Sequence, residues 1–275
     1  MRLPSPEAGG AGGPSARPDR RVARPCAAAR IAGGCLLAAG LVAASLPLAG
    51  CDRAGRGPAA PPMPRGSLLE PLAEHPQPRA PVSAFVAHLD GFLFRSGDLS
   101  SQHRVRQYCA PLSEDMLQCL LFDGTGPRAK LTGVEYVIGE RRFSALPDEE
   151  KAYWHSQVHE VKAGLLVAPG LPEPAEHALA SRLVRTYAKA WRLWPDGDSG
   201  VPTGVPQLMM GFTHDGQLDP VLLAERDREL GVASAEKRRQ RADIPAAPPA
   251  PGADAWRQGR IAQVQGTVGT PERAR

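Results

Sequence analysis

Residues 116–139 read MLQCLLFDGTGPRAKLTGVEYVIG and carry the clearest fold signal in the chain. Residues 116–124 are an apolar run that ends in Asp123-Gly124, and residues 131–139 are a second run rich in β-branched and aromatic side chains. Such side chains favour strands, and an Asp-Gly pair favours a turn. The sequence therefore predicts two strands joined as an antiparallel hairpin with a rather long loop.

The segments after the hairpin alternate between helix and strand patterns. In residues 173–194 apolar side chains recur at helical spacing, and the final helix has Asp219 as its cap, Pro220 in its first turn and Gly231 after its end. The predicted elements are a short helix over 144–154 capped by Ser144, a strand over 159–170, a helix over 173–194, a strand over 206–213 and a helix over 220–230. This order predicts an α+β fold, a single domain with a mostly antiparallel β-sheet packed by helices.

The first fifty residues have the pattern of a secretory signal. An arginine-rich segment precedes an uncharged apolar run over 31–50. The run ends in LAGC, Leu48 to Cys51, which resembles the lipobox of bacterial lipoproteins, where the cysteine is acylated and the peptide is cut just before it. We therefore expect residues 1–50 to be a lipoprotein signal peptide and Cys51 to be lipidated, with an uncleaved transmembrane helix as the alternative.

Composition marks the borders of the folded part. Residues 51–80 are rich in Pro and Gly and predict a lipidated, disordered tether. Residues 244–275 begin with a Pro/Ala-rich stretch and predict a disordered tail. The domain is expected over residues 81–243. The N-terminal acyl chains are expected to hold it at a membrane of the bacterial cell envelope, and both the inner and the outer membrane remain open.

The net charge of +4 resides in the leader alone. Residues 1–50 hold six arginines and two acids, so the remaining chain holds 27 bases (33 less 6) and 27 acids (29 less 2). Without the leader no basic field remains that would attract phosphates. Nucleic acid is therefore excluded as an expected partner.

Six blocks of the predicted domain resemble a known family. They are HLDGF (88–92), QYCAPLSEDMLQCLLFD (107–123), LTGVEYVIGERRFSALPDEEKAYWHS (131–156), HEVKAGLLVAPGLPE (159–173), TYAKAW (186–191) and PQLMMGFTHDGQLDP (206–220). In this order they closely resemble the oil body-associated, or embryo-specific, protein family, whose domain is described as of unknown function. Plant members are associated with oil bodies and seed lipid storage. The resemblance is compatible with a lipid-related role. Together with the predicted anchor, the tether and the neutral domain, it leads us to expect a non-catalytic domain that binds a lipid or an envelope protein partner, with no cofactor.

Histidines in the stretch WHSQVHE, residues 154–160, are the candidate polar or ligand site. The resemblance implies two histidine clusters in the family, but Arg106-Gln107 and Gln157 stand here where three of those histidines would be. The expected site comprises His88, His155, Gln157, His159 and Glu160. His88 is expected to be either a site residue or, with Asp90, part of a helix-end pair.

Two other functions remain open at this point. A metal-assisted, cupin-like enzyme would use His155, His159 and Glu160, although a catalytic zinc needs three protein ligands and the spacing matches no zinc motif. The other is a structural envelope protein with no small ligand. A large apolar pocket would favour lipid binding. Converging His, Glu and Cys side chains in a cleft would favour the enzyme, and a filled core with no cleft the structural role. No residue is predicted as a metal ligand.

Cys109 and Cys119 are the two cysteines left after the leader and the lipidated Cys51. An exported protein meets an oxidising compartment, which permits a disulfide. Ten residues of separation do not ensure that the two Cα atoms approach closely enough. The pair is therefore expected to form either a disulfide or two buried thiols.

Overall fold

The computed structural model describes residues 67–69, 77–195 and 200–264, and all of them fall within one compact unit, residues 59–275. The predicted leader, the lipobox and most of the tether lie outside the described residues, so those expectations stay predictions. Among the described residues, no helix combines the length and the apolar character needed to cross a membrane.

The described residues form seven strands, seven α-helices and one 3₁₀-helix. The strands are β1 (Ala87–Arg95), β2 (Asp98–Ser113), β3 (Met116–Phe122), β4 (Leu131–Gly139), β5 (His155–Ser156), β6 (Thr186–Arg192) and β7 (Gln207–Met210). The helices are α1 (Ala80–Ser83), α2 (Glu140–Ser144), α3 (Asp148–Lys151), α4 (Val158–Lys162), α5 (Glu173–Leu183), α6 (Pro220–Leu230), α7 (Ser234–Gln240) and the 3₁₀-helix Ala255–Gln258.

All strand pairs are antiparallel, and the sheet closes on itself. The strand order is β4-β3-β2-β1-β7-β6-β5, and β4 also pairs with β6 along its length. Six strands thereby form a closed ring, while the short β5 pairs with β6 beside β7. The expected single domain with an antiparallel sheet and helices is confirmed, and the sheet is the larger part of it.

The predicted hairpin at 116–139 is confirmed as β3 and β4. Its register places Cys119 opposite Glu135 and Leu117 opposite Val137. Side chains alternate across a strand, so one face of the hairpin turns toward the core while Tyr136 on the other face is 40% exposed. The core cluster on the inner face includes Cys119, Leu121 and Val137, together with Ala188 and Ala190 of β6.

The predicted strand over residues 159–170 is wrong. Residues 158–162 form α4, and Gly164 follows it with a φ of 74°, a conformation that glycine adopts at little cost. The remaining part of the apolar run is buried against the sheet, and within the described residues its backbone pairs with a strand where Val167 bridges Asp90. A short apolar run is compatible with any buried segment, which explains the error.

The predicted helix over residues 173–194 is right only for its first half. Helix α5 ends at Leu183, and residues 186–192 form β6, which pairs with β4 on one side and with β5 and β7 on the other. Pairing on both edges outweighs the helical spacing, and Thr186, Tyr187 and Trp191 are residue types that favour strands.

The predicted short helix over 144–154 also differs. Ser144 is the last residue of α2 and caps nothing, and the single turn of α3 begins at Asp148 after Pro147. The final predicted helix is confirmed as α6, with the Asp219 carboxylate accepting from the backbone N–H of Val221 and Gly231 in the left-handed conformation at its end. Strand β7 lies within the predicted residues 206–213.

The expected disordered tail packs against the sheet over residues 244–264. Ile244, Ala253 and Ala255 are buried, and the Trp256 ring stands edge-on to Phe94 with centroids 4.8 Å apart. Asp254 accepts a hydrogen bond of 3.1 Å from the backbone N–H of Ser156. Apart from the short 3₁₀-helix, these residues pack without helix or strand, so composition and periodicity gave no sign of order. Residues 265–275 lie outside the described residues.

Candidate functional site

Three ionisable side chains from three elements meet inside the closed sheet. Glu135 comes from β4, His155 from β5 and Glu160 from α4; we call them the interior cluster. Nε2 of His155 lies 4.0 Å from Oε1 of Glu135 and 3.7 Å from Oε2 of Glu160. The register places Glu135 opposite Ala190 and His155 opposite Ala188, so two small residues of β6 leave the space for both side chains.

The polar atoms of the interior cluster are buried and largely without partners. His155 is 0% and Glu135 1% exposed, and both carboxylate oxygens of Glu135 and both ring nitrogens of His155 lack a hydrogen bond. Gln107, whose Oε1 also lacks a partner, lies buried on β2. An unsatisfied buried polar group costs about 1–3 kcal/mol, so this arrangement calls for a physical explanation.

Burial sets the protonation states of the interior cluster. Desolvation raises the pKa of Glu135 to about 8 and lowers the pKa of His155 to about 3. Desolvation, then the charges of Glu135 and Asp254, raise the pKa of Glu160 well above its ordinary value. The nearby Asp254 follows the same trend, because burial raises its pKa to about 7. As it stands, the cluster therefore holds neutral side chains at neutral pH.

Gly211 lies directly against the interior cluster. A Cβ at this position would come within 2.5 Å of Oε2 of Glu160 and 2.6 Å of Cδ2 of His155. These distances are far below van der Waals contact, so only glycine leaves room for the two side chains in their observed places. The backbone following β7 thus forms one wall of the cluster.

The other expected site residues lie apart from the interior cluster. His159 turns from it toward Asp215, 3.8 Å away, and lines a separate cavity of about 210 Å³ that also holds His214 and Arg238. Gln157 is buried and accepts a hydrogen bond from the Thr186 hydroxyl at 3.0 Å. The enzyme set of His155, His159 and Glu160 is therefore not assembled, because neighbouring residues 159 and 160 leave α4 in different directions.

His88 and Asp90 both lie on β1, so their interpretation as a helix-end pair is wrong. The ring of His88 stacks on Tyr108 with centroids 4.8 Å apart. Asp90 is fully buried and accepts three hydrogen bonds from Arg104, with a further arginine, Arg226 of α6, 3.8 Å away. The side chain of Asp90 is thus fixed by arginines, which is a structural role.

Cys109 and Cys119 are bonded to each other. They are register partners on β2 and β3, with Cα atoms 4.1 Å apart, and both are buried. Of the two alternatives left open by the sequence, the structure has the disulfide. Cys119 is in turn the register partner of Glu135, so the disulfide lies beside the interior cluster on the same hairpin.

A groove of about 540 Å³ opens between α5 and the turn that joins β2 to β3. Its apolar walls are formed by Pro111, Met116, Leu117, Val137, Leu179 and Leu183. Arg182 and Arg185 stand on the α5 side, and Glu114, Asp115 and Glu140 on the strand side. Such a combination of apolar walls and a few charged groups is typical of a small-ligand site.

The comparisons with known proteins identify a family and no structural relative. Residues 79–245 match the family described as protein of unknown function (DUF1264). No solved structure matches the chain. The match covers nearly all of the described domain, including α1, the closed sheet and the two final helices.

Several curated plant proteins are similar to this chain. Oil body-associated protein 1B of Arabidopsis thaliana is 37% identical over 177 residues, which are 64% of this chain and 73% of that protein. Oil body-associated protein 1A of Zea mays is 40% identical over 177 residues, covering 64% and 74%. Oil body-associated protein 2B of Zea mays is 33% identical over 216 residues, covering 74% and 86%. The chain therefore belongs, with these oil body-associated proteins, to the family of unknown function DUF1264.

Proposed function

We propose that this chain is a lipoprotein of the bacterial cell envelope, anchored through acyl chains on Cys51, whose domain binds a single-chain lipid and catalyses no reaction. The observation that carries the binding role is the groove between α5 and the β2–β3 turn. The family membership is compatible with this proposal, since the curated relatives are named for their association with oil bodies.

The shape of the groove suits an acyl chain. Leu117 and Val137 of the closed sheet and Leu183 of α5 pack on the core and give the groove an apolar floor. Each methylene group that leaves water for such a surface contributes about 0.8 kcal/mol. A chain of several methylene groups can therefore bind here without any polar contact along its length.

Two arginines on the α5 side of the rim can bind an anionic head group, across the groove from Glu114 and Glu140. Arg182 and Arg185 are exposed on the α5 side, whereas Asp115 on the opposite side is neutralised by ion pairs with Arg141 and Arg142. A guanidinium group can bind a carboxylate or a phosphate with two parallel hydrogen bonds. A lipid with its carboxylate or phosphate at Arg182 and Arg185 and its chain on the groove floor would use both features.

Support for the anchor comes from the sequence alone. The arginine-rich segment, the apolar run and LAGC occur in the order of a lipoprotein precursor. More than one acyl chain makes membrane attachment stable, where a single chain gives only reversible binding. The interpretation places the domain close to a membrane that supplies lipid.

Substitution of Cys51 tests the anchor. In a bacterial host grown with radioactive palmitate, we expect the wild-type chain to be labelled and Cys51→Ser to carry no label, because the thiol is the proposed acceptor of acyl chains. The matched control is Cys35→Ser in the leader, which should keep the label. Label that persists in Cys51→Ser, or is lost in the control, would disprove the assignment.

A bulky substitution tests the groove. Leu179→Trp places a large ring where Leu179 lines the groove, so we expect binding of cis-parinaric acid, a fluorescent fatty acid, to weaken by about tenfold or more, equivalent to about 1.4 kcal/mol. Fluorescence titration of the chain beginning at Asp52 measures the affinity. Leu171→Trp, at an exposed position outside the groove, is the control and should bind like the wild type. Equal binding by all three chains would rule out the groove as the lipid site.

A further inference from the structure

We propose that the interior cluster, Glu135, His155 and Glu160, binds one divalent transition-metal ion. This site is separate from the lipid groove and goes beyond the proposed function, since it can exist whether or not the domain binds a lipid. The inference rests on the spacing of the three side chains, on their missing partners and on the backbone that encloses them.

The spacing fits a metal ion better than a hydrogen bond or a water molecule. At 4.0 and 3.7 Å, Nε2 of His155 is too far from the two carboxylates for direct hydrogen bonds. A water molecule with two bonds of about 2.8 Å at a tetrahedral angle bridges roughly 4.5 Å. Two metal–ligand bonds of about 2.1 Å span roughly 3.4 Å at a tetrahedral angle and no more than about 4.2 Å. The observed gaps lie between these two values, so a tetrahedral ion would require both gaps to shorten.

The donor atoms also favour a divalent cation. In the described residues, His155 is the ion-pair partner that the structure gives to Glu135 and Glu160. The imidazole nitrogen without a partner can coordinate a metal, and on binding the two glutamates would give up their protons and supply two negative charges. A divalent ion would neutralise both charges and give partners to Nε2 and to carboxylate oxygens that otherwise have none. Imidazole with carboxylate is a ligand combination used for Zn²⁺ and other first-row metals.

The side chains must close in slightly to coordinate the ion. As the side chains stand, no group of three or more His, Cys, Asp or Glu residues in the described part of the chain is placed so that it could hold a metal ion, so binding requires these three to move. The two gaps need to shorten by about half an ångström, and small rotations of the glutamate side chains provide this. Gly211 lacks the Cβ that would press on Glu160 and His155, so the backbone leaves these rotations free.

Asp254 lies near the interior cluster but is already engaged. Its Oδ1 accepts from the backbone N–H of Ser156, next to the His155 ligand. This bond fixes the backbone of β5 and therefore the direction of the imidazole. We assign Asp254 as a positioning residue rather than a ligand, in keeping with the role of groups that orient the ligands of metal sites.

Metal content of the full-length chain tests the proposal. The chain is purified without a histidine tag in chelator-free buffer, and its metals are measured by inductively coupled plasma mass spectrometry. We expect about one equivalent of a single first-row metal, as for a site with one set of ligands. After chelation with EDTA, calorimetric titration with Zn²⁺ should restore about one equivalent and raise the melting temperature.

Matched variants locate the ion. Glu135→Gln keeps the volume of the side chain but removes its charge, and we expect Zn²⁺ affinity to fall by about a hundredfold or more, since even partners outside the ligand shell contribute 10–100-fold. His159→Ala removes the neighbouring imidazole that faces the other cavity and should bind Zn²⁺ like the wild type. Far-ultraviolet circular dichroism verifies that each variant is folded.

Several outcomes would overturn the proposal. They are a folded wild-type chain that is purified without metal and binds none of Zn²⁺, Mn²⁺, Co²⁺ and Fe²⁺; Glu135→Gln binding Zn²⁺ like the wild type; and His159→Ala losing the metal to the same extent as Glu135→Gln. If Glu135→Gln does not fold, Gly211→Ala takes its place, because its Cβ should displace Glu160 and His155 and lower the affinity. Should that variant also fail to fold, the titration of the wild type alone decides.

Discussion

Arg226→Ala should unfold most readily of the single substitutions considered, with a loss of about 3–5 kcal/mol in the free energy of unfolding. Arg226 has no exposed surface. Its guanidinium donates to the carbonyl oxygens of Leu165 and Gly164, at 2.8 and 3.1 Å, and to the hydroxyl of Ser234 at 2.8 Å. Alanine would leave these acceptors without hydrogen-bond partners in the interior. Water could replace the lost donors only if the surrounding structure opened.

The neighbourhood of Arg226 makes this loss larger than that of an ordinary buried arginine. Asp227 accepts from its Nε at 2.8 Å, Asp90 lies 3.8 Å away, and the ring of Phe92 stands 5.0 Å below the guanidinium. Helix α6, the loop after α4 and strand β1 therefore all depend on one side chain. Removing it breaks contacts between three parts of the fold at once.

Urea denaturation followed by circular dichroism measures the effect. Arg228→Ala is the control, because Arg228 is exposed on the same helix and should change the free energy of unfolding by less than about 0.5 kcal/mol. The loss of unfolding free energy for Arg226→Lys should lie between those for Arg226→Ala and Arg228→Ala, since an ammonium group cannot reproduce the planar arrangement of donors in a guanidinium group. A loss below about 1 kcal/mol for Arg226→Ala would show that the network contributes little.

Gly133→Ala is the second substitution with a large expected effect, about 3 kcal/mol, near the upper end of the range for overpacking. A Cβ at Gly133 would lie 2.3 Å from the carbonyl oxygen of Trp191, 3.2 Å from its carbonyl carbon and 3.3 Å from Cα of Arg192. All three are backbone atoms, so no side-chain rotation relieves the contact. Strands β4 and β6 would have to separate where they close the sheet.

The separation should be visible locally as well as in the overall stability. The backbone N–H of Leu193 donates to the carbonyl of Thr132 at 2.7 Å, next to the new methyl group, and we expect its hydrogen exchange to accelerate. Gly126→Ala, in the loop between β3 and β4, is the control, because a Cβ there meets nothing within 4 Å. Equal stability of both variants would mean that the closure of the sheet tolerates a wider spacing.

The strands that could be predicted are those with a readable local pattern. Strands β3 and β4 have β-branched and aromatic residues and a turn between them, and both were predicted within two residues of their observed ends. Strand β1 is missing from the sequence prediction because residues Leu89 to Phe94 are all buried, so no alternation marks it. Strand β2 is long and polar, so its composition does not indicate a strand. Its hydrogen bonds to β1 and β3 stabilise it in the folded sheet.

The candidate site was predicted in part for a similar reason. His155 and Glu160 are close in the chain and were chosen together, whereas Glu135 belongs to a distant strand and was passed over. A signal did exist, because Glu135 occupies the same side of β4 as Val137, where a buried strand should carry an apolar residue. A charged residue at an inward position of an apolar strand is worth treating as a site residue. The structure places His159 apart from the interior cluster, because it and Glu160 leave α4 in different directions.

The packing of residues 244–264 has a consequence for how the protein folds during its synthesis. Strands β1 and β7 precede Trp256 in the chain, yet the ring of Phe94 and the N–H of Ser156 find partners in the last described stretch, residues 244–264. A nascent chain that stalls before residue 244 therefore exposes an apolar surface and a free backbone donor. The domain can complete its packing only after residues 244–264 have been made, so a chain interrupted before them is open to aggregation.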